Sequence, residues 1–165
     1  MIETLTIRRA QIRDLERIRR IYNEGIEDRV ATLDEDPKDE AEIRAWWENH
    51  EGRYAVVVAE RDGEIVGWAS LNPYSHRCAY AGVGDLSIYV SRTARGTGVG
   101  KRLLVQLEAV ARENGFYKIV LFTFPFNAAG QRLYRGLGYR EVGVFKEQGR
   151  LDGVPIDVMA MEKIL

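Results

Sequence analysis

Cysteine is nearly absent: Cys78 is the only one in 165 residues. No intrachain disulfide can form, and no four-thiolate metal site can be built. Histidine is almost as scarce. His50 and His76 stand apart without a His-x-x-x-His or similar spacing, so no metal site is expected and both are read as solvated or core-satisfied side chains. Neither sign of charge prevails, with 24 Lys+Arg against 25 Asp+Glu and a net charge of −1. That balance, with no basic stripe carrying interleaved aromatics, excludes bulk affinity for nucleic acid or anionic membranes. A local anion site is still open to such a chain, because a few backbone amides and one Arg can hold a diphosphate. Long hydrophobic runs are missing, the longest being strand-length, so no membrane partner is expected. Met1–Leu5 lacks the basic stretch and apolar core of a secretory signal, and the cytoplasm is the expected compartment. The four prolines are scattered and no repeat or low-complexity tract interrupts the chain, so residues 1–165 are read as one domain. With 45% apolar and 30% charged residues it is a folded rather than a disordered sequence.

Leu5 and Ile7 alternate as in a first strand; Ile12, Leu15, Ile18, Tyr22 and Ile26 then recur at helical spacing, predicting a helix over 12–27. Asp36-Pro37 reads as the opening of a second helix carrying Ile43, Trp46 and Trp47. Strands at 54–59 and 65–71 flank Asp62-Gly63, a favoured hairpin turn. A strand over 85–91, a helix from Val99 past Val110 to Asn114-Gly115, and a strand over 118–124 follow. Asn127 caps a short helix stopped by Gly138, and strands at 139–147 and 154–164 close the chain. The order β-α-α-β-β-β-α-β-α-β-β predicts an α/β (α+β) fold, with a mixed, mostly antiparallel sheet and helices on both faces.

The segment from Tyr89 to Lys101 carries the strongest chemical signal, a strand running through a glycine-rich loop into a helix. Glycines let a ligand approach the backbone, and the first helical turn presents free N–H groups to negative oxygens. A Walker loop would need Gly at Arg95 and Ser/Thr at Arg102, and a dinucleotide loop would need Gly at Lys101. Neither pattern fits. Arg95-Gly96-Thr97-Gly98-Val99-Gly100 instead resembles the [Gln/Arg]-x-x-Gly-x-[Gly/Ala] pyrophosphate loop of the GNAT superfamily of acyl-CoA-dependent N-acyltransferases. Ser87–Ser91 directly before it, and the stretch from Asn127 to Tyr139 after it, are similar to that superfamily's strand and N-x-x-A/S-x-x-L-Y-x-x-L-G-F/Y helix. Ile21–Arg29, Gly67–Leu71, Tyr80–Gly82, Phe124-Pro125, Gly149–Gly153 and Asp157-Val158 further resemble the branch of phosphinothricin, methionine sulfoximine and arsinothricin N-acetyltransferases.

The resemblance implies a GNAT-like fold and direct acetyl transfer from acetyl-CoA to the α-amine of a small amino-acid-like acceptor, with no metal. Cys78 then has no acyl-enzyme to form. An amine attacks a thioester only as the free base, and Asp85 is the candidate general base where the branch usually has Glu. Glu27 and Asp28 are alternatives. Tyr134 stands at the family's position for a proton donor to the leaving thiolate, a phenol being close to a thiol in acidity. The backbone N–H of Tyr89 or Val90 is the expected oxyanion donor. By the same resemblance Ile88, Tyr89, Val90, Arg95, Gly96, Thr97, Gly98, Val99, Gly100 and Lys101 bind CoA, and Asn127 holds the pantetheine arm as well as capping its helix. Arg92 and Arg102 add charge near the phosphates or are surface residues. Arg29, Tyr74 and Arg77 are expected around the acceptor, with either Arg as a clamp for an anionic group; the ungapped family position for that Arg is Ser75. A homodimer is expected from the family. Two other functions stay open, acetylation of a polyamine, an aminoglycoside or a protein N-terminus, and CoA sensing without turnover.

Overall fold

The computed structural model describes residues 4–165; Met1–Glu3, part of the segment read for a secretory signal, lie outside the described residues. The chain begins with β1 (Leu5–Arg9), a 3-10 turn at Ile12–Asp14, α1 (Leu15–Asp28) and α2 (Glu40–Glu48). A meander of β2 (Val56–Arg61), β3 (Glu64–Pro73) and β4 (Val83–Val90) follows. Then come α3 (Val99–Glu113), β5 (Lys118–Thr123), α4 (Ala128–Gly136), β6 (Arg140–Leu151) and β7 (Val154–Ile164). The element order is the one read from the sequence, and the seven strands form one sheet in the order β1-β2-β3-β4-β5-β7-β6. Every neighbouring pair is antiparallel except β4–β5.

Both faces of the sheet are covered, and the alternation of side chains along β2 shows how. Val57 and Ala59 pack with Leu103, Leu104 and Leu107 of α3. Val56 and Val58 turn to the opposite face and pack with Ile18 and Ile21 of α1 and Ile43 of α2. The buried run in β2 and β3 therefore belongs to central strands rather than to a half-solvated sheet.

Two helix starts differ from the sequence reading for local reasons. Residues 12–14 form a 3-10 turn, so α1 starts at Leu15. The second helix opens three residues after Asp36-Pro37, because Asp39 and Glu42 make a reciprocal cap: Glu42 N–H donates to Asp39 Oδ1 (2.8 Å) and Asp39 N–H donates to Glu42 Oε1 (3.2 Å). Asp62-Gly63 forms the expected turn, both residues having positive φ (51° and 82°).

Candidate active site

The parallel pairing of β4 with β5 is short. It joins Val83 to Lys118, Gly84 to Ile119 and Asp85 to Val120, and no pairing continues beyond. From Asp85 onward the strands part, and the gap is a cleft of about 800 Å³ lined by Asp85–Val90 of β4 and Leu121–Phe124, the second wall. The β3–β4 ladder decides which β4 amides face it. Ser91 N–H donates to Val66 O (2.8 Å), so by antiparallel alternation the amides of Ser87 and Tyr89 also turn to β3, and those of Ile88 and Val90 turn away from it. Of the two expected oxyanion donors, Tyr89 is thus occupied in the ladder and Val90 is directed to the cleft.

At one end of the cleft the loop after β4 leads into α3. Gly96 and Gly98 hold φ of +75° and +87°, the left-handed region that a side chain disfavours, and this brings the loop round to Val99 as the first helical residue. Arg95, Gly96, Gly98, Gly100 and Lys101 line the cleft, so the free N–H groups of the first turn of α3 stand at its mouth. Thr97 and Val99 do not line it: Thr97 donates its hydroxyl to Ala94 O (2.5 Å), and the Val99 side chain is buried in the core. Their contribution to an anion site is confined to backbone. Arg102 lies elsewhere, donating to Leu5 O (2.9 Å). Arg92 and Arg95 bind the end of α1, Arg92 through Glu27 (2.8 Å) and Asp28 (2.9 Å), Arg95 through Asp28 (2.6 Å). These bonds hold the Asp28 carboxyl below the usual carboxylate range, Arg92 being the larger cause. Asp28 is therefore a poor base, and the exposed Glu27 is spent on Arg92.

Asp85 sits at the last rung of the β4–β5 zip, half-buried. Burial raises its pKa from 3.8 to about 6, against the opposing effects of a hydrogen bond from Asn72 Nδ2 (3.0 Å) and one from the Leu86 N–H. Tyr134, on α4, lines the same cleft and is 8% exposed. Its phenol is pushed up to about 12, first by burial and then by the nearby Asp85 charge. The expected match to thiol acidity does not hold; the phenol stays protonated and is a hydrogen-bond donor. Asn127 lines the cleft and caps α4, accepting from Gly130 N–H (3.0 Å) and donating to Thr123 Oγ1 (3.4 Å).

The acceptor-side residues read from sequence are not brought together. Arg29 closes α1 at φ 59° and its guanidinium pairs with Asp152 (3.0 Å), bonding also to the Glu35 carbonyl (3.0 Å). Arg77 and Tyr74 are exposed and neither lines the cleft, the Tyr74 ring lying against Tyr80. Cys78 is exposed on a 3-10 turn, away from the cleft wall. Tyr22 and the segment 30–33 line this end instead, a wall that the sequence reading did not anticipate. It also missed Asn72, which faces Asp85 only because of the β3–β4 register. Among the described residues no cluster of His, Cys, Asp or Glu could hold a metal, and no helix is long and apolar enough to cross a membrane.

Proteins of known kind are similar to this chain over nearly its whole length. Phosphinothricin N-acetyltransferase of Streptomyces coelicolor is 33% identical over 157 residues, covering 92% of this chain and 91% of its own. A GNAT superfamily phosphinothricin acetyltransferase from Sinorhizobium meliloti, solved in complex with acetyl-CoA, is 34% identical with a TM-score of 0.92, covering 98% of this chain and 89% of its own. Ribosomal-protein-alanine N-acetyltransferase from Brucella melitensis is 35% identical with a TM-score of 0.93, covering 97% and 99%. The model of the acetyltransferase (GNAT) family matches residues 15–139, the stretch from α1 through the end of α4 that contains both walls of the cleft and the loop at its mouth. By that match, and by the architecture that produces it, the chain belongs to the GNAT family of acetyltransferases.

Proposed function

We propose that this chain transfers acetyl from acetyl-CoA directly to the α-amine of a small amino-acid-like acceptor of the phosphinothricin, methionine sulfoximine or arsinothricin type, Asp85 taking the proton and Tyr134 assisting the thiolate. One observation carries the reading: the carboxyl with a pKa raised to about 6 stands where the strands part, at the head of a cleft whose mouth is a helix N-terminus. A general base works best with a pKa near the operating pH.

The cleft fits acetyl-CoA by its own chemistry. The free amides at the start of α3, with Lys101 and Arg95, suit the pyrophosphate. The unpaired amides of Ile88 and Val90, and the Asn127 side chain, suit the amides of the pantetheine arm. When the free amine attacks the thioester carbon, the amine proton passes to Asp85 directly or through one water. The carbonyl oxygen gains negative charge and is met by the Val90 N–H. The C–S bond then breaks, and the Tyr134 hydroxyl donates to the departing sulfur. N-acetylation removes the positive charge of the acceptor amine, the chemistry by which an antibiotic amino acid would be inactivated. A cytoplasmic setting suits a chain with one exposed cysteine and an acetyl-CoA requirement.

A second reading is favoured by one observation, that neither Arg29 nor Arg77 lines the cleft. An acceptor without a strongly anionic group, such as a protein N-terminus, then loses nothing. Thiol release from acetyl-CoA, measured over glutamate analogues, neutral amino acids, alanine-initiated peptides, spermidine and an aminoglycoside, separates the two. Saturable turnover on the free amino-acid analogues supports the first; turnover on peptides alone replaces it; acetyl-CoA binding without turnover on any acceptor leaves the sensor reading. For assembly we propose a homodimer, supported by the family resemblance and by Val142, Phe145 and Val154, apolar residues exposed on β6 and β7. Sedimentation at micromolar concentration tests it: a single species of 18.8 kDa refutes the dimer.

A further inference from the structure

Every hydrogen-bonding position of the Asn72 side chain is used. Its Nδ2 donates to Asp85 Oδ2 and to Ser87 Oγ, each at 3.0 Å. Its Oδ1 accepts from Ser70 Oγ (2.9 Å) and faces His50 Nε2 (2.8 Å). The other ring nitrogen, Nδ1, lies 2.7 Å from the Trp46 carbonyl oxygen. With the Asn72 amide in this orientation both partners of the imidazole are acceptors, and only an imidazolium donates to both.

Three features suit a cation there. His50 lies two residues past the last residue of α2, where the negative end of the helix dipole favours positive charge. The Trp46 carbonyl belongs to the last turn of α2, whose oxygens lack partners within the helix, and His50 supplies one. The Trp46 ring lies against the imidazole with centroids 4.5 Å apart.

Turning the Asn72 amide over shows what this cation does. The carbonyl would then face Asp85 and the NH2 would face His50. Two acceptors cannot bond, so Asp85 would have to be protonated and His50 Nε2 bare. The proton count is unchanged: an N–H bond at His50 breaks, an O–H bond at Asp85 forms, the proton exchanges through solvent, and the two serine hydroxyls reverse. The ionised carboxylate thus goes with the imidazolium, the carboxylic acid with the neutral ring.

We infer that His50 is a positioning residue for Asp85, its imidazolium holding the Asn72 amide with the NH2 toward the carboxylate and so keeping Asp85 in the form that accepts a proton. The inference rests on the reading of Asp85 as the base. Besides Asn72, Asp85 is faced by Tyr134 of α4 and by Tyr89 of its own strand, both phenols pushed up by burial and uncharged near neutrality. The groups placed against His50 are Trp46 and Asn72, both uncharged.

The first measurement is ring 15N NMR of the wild-type enzyme, with His50 distinguished from His76 by His76→Gln. While the Asp85 13C carboxyl signal reports the ionised form, His50 should show both nitrogens protonated. His50→Ala should move the Asp85 titration upward by about one unit, and the acidic limb of kcat/KM with it, while acetyl-CoA affinity and activity near pH 9 hold. His50→Gln, whose amide NH2 can donate to Asn72 Oδ1, should restore the wild-type titration. A bare Nε2 in the wild type while Asp85 is ionised overturns the inference, as does an unmoved Asp85 titration in both variants. If Asp85→Asn retains turnover, the base assignment falls, whereas the NMR coupling between His50 and Asp85 is judged independently of activity.

Discussion

Asp85→Asn should make the protein more stable and nearly inactive, and the stability gain should itself depend on pH. The carboxyl pKa rises from 3.8 to about 6 on folding, chiefly through burial. At ~1.4 kcal/mol per unit, that rise corresponds to about 3 kcal/mol of folding free energy sacrificed to an ionised group in the cleft. The sign follows from proton binding. Below pH 3.8 the carboxyl is protonated in both states and costs nothing; between 3.8 and about 6 the folded state binds more protons, so stability falls as pH rises; above about 6 the full penalty is present.

Asn carries no charge at any of these values. Its Oδ1 can still accept from Asn72 Nδ2, but its own NH2 meets the Leu86 N–H, so the net gain is expected at about 1–3 kcal/mol near pH 8 and near zero at about pH 4. For a chain of this length the gain amounts to a rise in Tm of roughly 2–12 °C. Denaturation of both proteins at several pH values gives the difference directly, with the titrating groups that are not coupled to Asp85 cancelling. A difference that does not vary with pH would refute the burial of charge at Asp85, and with it the raised pKa that makes this residue a base. Turnover should fall about 100- to 10,000-fold in the same variant.

Tyr134→Phe should lower kcat about 10- to 100-fold with little change in acetyl-CoA affinity, in single-turnover and binding measurements. Gly98→Ala places a side chain at φ +87° and should cost about 1–2 kcal/mol, weakening acetyl-CoA binding in calorimetry because the loop relaxes away from its bound shape. Gly25→Ala puts a methyl group 2.6 Å from the Tyr89 ring, and chemical denaturation should show a loss of about 1–3 kcal/mol.

The fold was legible where periodicity and turn chemistry are local. Asp62-Gly63, the Val99 helix start and the Asn127 cap fall where the letters place them. The second helix start was misplaced because Asp36-Pro37 and Asp39 compete within four residues, and only the reciprocal bonds of Asp39 with Glu42 decide between them. At the site, the anion loop was legible because glycine and a helix start are local signals. The acceptor end was not. Arg29 was a reasonable candidate cation, but its partner Asp152 lies 123 residues along the chain, and nothing in the order of letters announces that pair. Asn72 and His50 were missed for the same reason, since strand register brings Asn72 to Asp85 and the end of α2 brings His50 to Asn72.

The roles proposed for Asp85 and Tyr134 are linked by the charge between them. The Tyr134 phenol is held near 12 partly by the Asp85 carboxylate. A phenol that weak cannot deliver its proton fully to a thiolate at the start of the reaction, which guards the donor against premature ionisation. Once Asp85 has taken the amine proton, the nearby negative charge is gone and the phenol becomes a stronger acid as the thiolate departs. Proton uptake by Asp85 thus favours proton donation by Tyr134, without movement of either strand. In Asp85→Asn the Tyr134 phenol should therefore titrate lower than in the wild type, a shift that ultraviolet difference spectra with Tyr134→Phe as reference would detect. An unmoved phenol would separate the two residues and leave Tyr134 governed by burial alone.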